Sequence, residues 1–213
     1  MTTVDASAGS AVPTEEAGRP PIVALVCSAG GLEAVMAIVA VLPPSFPAAV
    51  VVLRHQSPGY PSRVPEILGN HCALPVVAAS QGLEVRGGVV VVVPPAVHVL
   101  VTNENRLALI ASDATPPYRP SADLLLTSLA LVAADRTIAV VLSGGGHDGA
   151  TGASALHDMG GLVLASDEQS SKHFDMPAAA IARHDAVDFV LPVSDIGAKL
   201  MELVENGHVS QPT

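Results

Sequence analysis

The chain has no tryptophan and only two tyrosines and three phenylalanines in 213 residues. So small an aromatic supply leaves little from which to build the stacking platforms that bind single-stranded nucleic acid. Basic residues are scarce too: 10 Lys and Arg stand against 20 Asp and Glu, which disfavours any nucleic-acid partner held by its phosphates. Two cysteines, Cys27 and Cys72, are too few for a disulfide framework, and both are expected to be reduced thiols. No apolar run reaches the roughly 20 residues of a membrane helix. The longest, Val89 to Val101, is broken by Pro94, Pro95 and His98, so no membrane insertion is expected. Residues 1–20 lack the basic start and apolar centre of a signal peptide. They read as a disordered tail ahead of one catalytic-sized domain over 21–206, with 207–213 a flexible C-terminus and the cytoplasm the expected location.

What the chain does have is apolar bulk. Hydrophobic residues make up 49% and charged residues 14%, which excludes a disordered protein. Short runs apolar on both faces recur at Ile22–Cys27, Ala49–Leu53, Val89–Val93, Ile138–Leu142, Leu162–Ala165 and Ala186–Leu191, as expected of strands covered on both sides. Helix-like segments lie between several of them: Leu32–Val41, Ser62–Asn70, Ser121–Ala133, Thr151–Met159, Pro177–Arg183 and Asp195–Val204. The alternation predicts an α/β fold with a doubly wound, mostly parallel sheet and helices on both faces, a Rossmann-like three-layer arrangement. Val97–Val101 and Arg106–Ile110, around the polar Thr102–Asn105, predict an antiparallel hairpin at one sheet edge.

In such sheets the ligand crevice lies beyond the carboxyl ends of the strands, so polar residues that directly follow buried runs are the ones to weigh. Ser28 follows IVALVC and precedes Ala29, Gly30 and Gly31; His55 follows AVVVLR; Asp148 follows IAVVLSGGGH. A serine at a strand-to-helix turn projects its hydroxyl from the rim beside the free N–H groups of the helix start, where an oxyanion can be held. An imidazole takes its proton, and a carboxylate orients the imidazole. Each residue also has a plainer reading: Ser28 as a helix cap or part of a phosphate cradle, His55 as a structural histidine, Asp148 as an N-cap. It is their coincidence at strand ends that points to acyl transfer. The order Ser, His, Asp and the absence of a G-x-S-x-G elbow set the chain apart from the common α/β-hydrolases. Ser28-Ala-Gly-Gly offers neither G-x-G-x-x-G nor a Walker lysine for a nucleotide, and the spacing of His147, His157 and Asp158 matches no standard metal site. No cofactor and no metal are expected.

These residues resemble those of the chemotaxis protein-glutamate methylesterases, the CheB-type catalytic domain. The resemblance runs from about Ile22 to Val204 and rests on SAGG at Ser28–Gly31, RHQSPGY at Arg54–Tyr60, PPAVH at Pro94–His98, RPSAD at Arg119–Asp123, LSGGGHDGATG at Leu142–Gly152 and F-x-M-P at Phe174–Pro177. It implies serine-dependent hydrolysis of glutamate γ-methyl esters on chemoreceptor-type proteins, often with deamidation of particular glutamines, and no cofactor. Carried over residue by residue, the triad is Ser28, His55 and Asp148. The Ala29 and Gly145 backbone N–H groups are the expected oxyanion donors, Gly30 keeps the approach to the serine open, and Arg119 reads equally as a contact for acidic substrate groups and as a surface cation or helix-cap partner. The chain departs from the usual pattern at Val26, where the family commonly has glycine, at Gly145, where it usually has methionine, and at His147, commonly asparagine. The residues ahead of the first strand are too few for the receiver domain that family members often carry, so regulation by phosphorylation within this stretch is not expected, and a separate regulatory protein is one alternative. The competing expectation is a catalytically weak binding or signalling module of the same shape.

Overall fold

The computed structural model describes residues 18–57, 59, 61–111, 120–183 and 185–207. Its elements follow in the order β1 (Ile22–Cys27), α1 (Gly31–Ala40), β2 (Ala49–Arg54), α2 (Val64–Gly69), β3 (Val76–Ala78), β4 (Val90–Val92), β5 (Val97–Val101) and β6 (Leu107–Ala111). The second half runs α3 (Ala122–Ala133), β7 (Thr137–Val141), α4 (Ala150–Asp158), β8 (Leu162–Ser166), α5 (Asp175–Ile181), β9 (Phe189–Leu191) and α6 (Val193–Glu205), with a 3-10 turn at Ala134–Arg136. Every helix expected from the sequence is present, its ends shifted by less than a turn.

Seven strands form one parallel sheet in the order β3-β4-β2-β1-β7-β8-β9. Its central strands carry no polar face because helices cover both sides. Within β1, Ile22, Ala24 and Val26 pack with Leu125, Leu126 and Leu129 of α3 and Leu156 of α4. The alternate residues Val23, Leu25 and Cys27 pack with Val35 and Ile38 of α1 and Leu200 of α6. The period of two in a strand thus divides one apolar run between two cores. β1 leads through α1 to β2 on one side of it, whereas β7, on its other side, leads through α4 to β8. The loops after β1 and β7 therefore part toward opposite faces, which opens a crevice at the carboxyl edge of the sheet.

The hairpin is present but its placement differs from the expectation. β5 and β6 pair antiparallel, Val97 opposite Ala111, as a separate two-stranded sheet that does not extend the seven-stranded one. Val99, Val101 and Leu107 bury themselves in the core on the α3 side. The Val101 N–H donates to Ser128 Oγ of α3 at 3.0 Å, so a helix rather than a sheet edge satisfies the pairing. Two other details lay beyond the periodicity. β3 is too short to show a pattern and is largely exposed. At the far edge only Phe189–Leu191 of the run from Ala186 is strand, because Asp188 ends the preceding turn by accepting from Val163 N through its carboxylate at 2.7 Å.

α3 and α4 lie in close contact at Gly152, where a Cβ would sit 2.7 Å from Leu126 Cβ and 2.9 Å from Asp123 O. Gly152→Ala is expected to lower stability by about 1–3 kcal/mol through overpacking, read as a lower urea midpoint. A midpoint equal to that of the parent would mean that the helices separate freely.

Candidate active site

Ser28 and His55 directly follow β1 and β2, and Asp148 lies in the loop between β7 and α4, so the three come from adjacent strand ends. The loops keep the sheet's hydrogen bonding beyond the strands: His55 N donates to Cys27 O, and Ser28 N to Ser143 O, each at 3.0 Å. His55 Nε2–H donates to Asp148 Oδ2 at 2.8 Å, with the two side chains 11% and 2% exposed. Ser28 is half-buried at the rim, and its hydroxyl makes no hydrogen bond among the described residues.

A carboxylate this buried needs donors, and the first turn of α3 provides them. Asp148 Oδ2 accepts from Ala122 N at 2.6 Å, while Oδ1 accepts from Asp123 N at 3.0 Å and from Ser121 Oγ at 3.1 Å. Helix N-termini hold unsatisfied N–H groups and the positive end of the macrodipole, a natural seat for an anion. Burial alone would push this carboxyl up. The hydrogen bonds from His55, Asp123 N and Ala122 N, with the charge of His55, outweigh it and hold Asp148 below the ordinary value of 3.8. Asp123 returns the favour to the other helix: its Oδ1 accepts from Gly149 N at 2.9 Å and from Gly152 N at 2.7 Å, at the start of α4. Its own carboxyl is pushed above 3.8, first by burial and then by the like charge of Asp148, against the pull of those two N–H groups. Each carboxylate thus caps the helix that the other precedes or begins. The N-cap Ser121 is tied in turn to the hairpin, its N–H donating to His98 Nδ1 at 3.0 Å.

The turn that carries Ser28 is bound to two other loops through Ser143. Its carbonyl holds Ser28 N, while its Oγ donates to Ala29 O at 2.9 Å and accepts from His173 N at 3.0 Å. Gly144 N donates to His173 O and Met176 N to Gly144 O, and Lys172 bridges to Glu33 of α1 at 2.7 Å. Gly30 adopts a left-handed φ of 72°. The space beside it is filled: a Cβ there would lie 2.6 Å from Lys172 Cβ and 3.0 Å from Ser143 Oγ. Gly30 therefore lets the loops after β1, β7 and β8 pack closely together. Gly145 differs, because a Cβ would meet only Asp175 Oδ2 at 3.8 Å.

Residues 23–200 match the CheB methylesterase family. The chain belongs to that family. It is 39% identical over 185 residues to the protein-glutamate methylesterase FrzG of Myxococcus xanthus, an alignment covering 87% of this chain and 55% of that protein. It is 37% identical over 186 residues to protein-glutamate methylesterase/protein-glutamine glutaminase 3 of Paramagnetospirillum magneticum, covering 87% and 52%. The chain thus spans about half the length of these relatives. A crystal structure of the Thermotoga maritima CheB methylesterase catalytic domain superposes with a TM-score of 0.82 at 34% identity, covering 87% of this chain and all of that one.

Within the CheB family frame, the departures have distinct settings. Val26 is absorbed into the core beneath the rim, 3.6 Å from the Cβ that Gly149 lacks. Gly145 leaves room for a side chain, and His147 is exposed. Arg119 falls outside the described residues. Cys27, next to the serine, faces the α1 core, and burial pushes its thiol up to about 12 despite the pull of Arg54, so it is no competing nucleophile. Among the described residues no group of three or more His, Cys, Asp or Glu is placed to hold a metal ion, and no helix is long and apolar enough to cross a membrane. Ser121, Asp123, Ser143 and Lys172 escaped the sequence reading as parts of the site. The motifs RPSAD and LSGGGHDGATG contain the first three, yet only the fold shows their hydrogen bonds.

The two aspartates respond oppositely to acid. Because the folded value of Asp148 is lowered, its ionised form adds stability above 3.8 that is lost as pH falls through the folded value. The stability gap between the parent and Asp148→Asn, about 2 kcal/mol at neutral pH, is therefore expected to shrink below pH 3.8 in thermal melts; a gap independent of pH would refute it. For Asp123 the sign reverses, since its ionised form is disfavoured in the fold. Asp123→Asn, which keeps an acceptor for both N–H groups, is expected to melt close to the parent at neutral pH, whereas Asp123→Ala loses about 1–2 kcal/mol. Equal melting of the two variants would mean that the cap is unimportant.

Proposed function

We propose that this chain is a protein-glutamate methylesterase catalytic domain, spanning 21–206, that hydrolyses glutamate γ-methyl esters on receptor-type proteins in the cytoplasm. The observation that carries the reading is the buried His55–Asp148 pair, 2.8 Å apart, on the strand-end rim beside Ser28 in a chain of the CheB family. Ser28 Oγ attacks the ester carbonyl and gives its proton to His55. With Nε2 engaged by Asp148, the nitrogen that receives it is Nδ1, and Asp148 stabilises the resulting imidazolium. The tetrahedral oxyanion is held by the N–H groups of Ala29 and Gly145. Two neighbouring N–H groups, of Ser28 and Gly144, are already taken by Ser143 O and His173 O. Methanol departs with the proton from His55; water, deprotonated by the same imidazole, then releases the glutamate carboxylate and restores Ser28. An amide in place of the ester loses ammonia by the same steps, which accords with relatives named also as glutaminases. The chemistry calls for no cofactor, and Arg119 is the proposed contact for acidic substrate groups.

Methanol release from methylated receptor cytoplasmic fragments tests the reading. Ser28→Ala, His55→Ala and Asp148→Asn are each expected to lower the rate by roughly 10³-fold or more. Activity retained in all three would remove the triad. An activated ester hydrolysed through Ser28 without methanol release would keep the chemistry and discard the substrate. Failure with both would leave the family's fold serving as a binding module.

A further inference from the structure

On the side of α1 and α2 lies a recess of about 360 Å³ that shares His55 with the triad but is lined by neither Ser28 nor Asp148. Arg54, Gln56 and Arg63 supply its polar groups, and Leu32, Val64 and Ile67 its apolar wall. Arg54 ends β2, so strand alternation turns it to the face opposite Leu53, toward the α1 core. Arg54 Nε and Gln56 Nε2 are both buried without a hydrogen-bond partner. Gln56 is held in position by Ser62 Oγ, which donates to its Oε1 at 2.6 Å. Arg63 is balanced by Glu66 at 3.3 Å, whereas Arg54 makes no direct ion pair among the described residues and feels the Glu33 carboxylate, itself bridged to Lys172, only at longer range.

Buried donors left without an acceptor cost free energy, and a guanidinium without a counter-ion costs more, unless a ligand completes them. The missing ligand must therefore offer two acceptors and a negative charge, the chemistry of a carboxylate. The ester that Ser28 attacks is neutral, and Ser28 does not line the recess. The volume suits one side chain. In a protein of net charge −10, a cation beside the reacting histidine favours acidic partners.

We propose that Arg54 and Gln56 form a carboxylate subsite that binds an acidic side chain of the substrate polypeptide flanking the esterified glutamate. This rests on the methylesterase reading for the identity of the substrate, but the subsite can be measured without turnover. The test uses the Ser28→Ala protein and two fluorescein-labelled peptides, each with a central glutamate γ-methyl ester flanked on both sides by either glutamate or glutamine. By fluorescence anisotropy the glutamate-flanked peptide is expected to bind roughly tenfold more tightly. Adding Arg54→Gln should bring the two affinities together, whereas Arg54→Lys should keep part of the difference. Circular dichroism and thermal melting establish that each variant is folded; if Arg54→Gln does not fold, Gln56→Leu replaces it with the same expectation. Equal binding of the two peptides by the Ser28→Ala protein, or a preference that survives loss of Arg54, would overturn the subsite. Turnover of the same peptides by the parent protein is a separate readout. Absent hydrolysis with the preference intact defeats the methylesterase reading and leaves the subsite standing.

Discussion

The rest of the site depends on the seat of one buried charge. Asp148 is almost wholly removed from solvent, and a carboxylate there is sustainable only because the first turn of α3 turns its N–H groups on it and His55 donates to it. That requirement fixes where α3 begins relative to the loop after β7. It also fixes where His55 stands relative to both. The same geometry returns a carboxylate, Asp123, to the start of α4, so two helices and two acids hold one another in register.

A reciprocal arrangement has an electrostatic cost, since two like charges face the same pair of helix starts. The structure distributes it unequally. Asp148, with the histidine and the greater share of donors, stays the stronger acid, while Asp123 takes the upward shift. Acidification therefore reaches the cap of α4 before it reaches the partner of the histidine.

The Ser28 side is built by different means. Ser28 stands on a turn whose backbone is gripped by Ser143 and roofed by the 172–176 loop, with glycines at 30 and 144 because neighbouring side chains occupy the space a Cβ would need. Charge is absent from that grip except for Lys172–Glu33 at its outer edge. One half of the site is held electrostatically and the other by steric fit and neutral hydrogen bonds. They meet where β1, β2 and β7 lie side by side.

Much of this was legible in the residues themselves. Apolar runs with no polar face can be satisfied only by a sheet covered on both sides, so the strands, the three layers and the rim followed from local pattern, and Ser28, His55 and Asp148 were identifiable because each directly follows or lies near the end of such a run. The motifs carried the family. What pattern could not supply was every relation between segments distant in the chain: the hairpin packed on α3 instead of the sheet edge, the exchange of caps between Asp123 and Asp148, Ser143 as the tie between loops, and the unsatisfied donors of Arg54 and Gln56. A hydrophobic period reports which face of a segment is buried, whereas a hydrogen bond across 93 residues exists only once the chain has folded and its partners have been brought together.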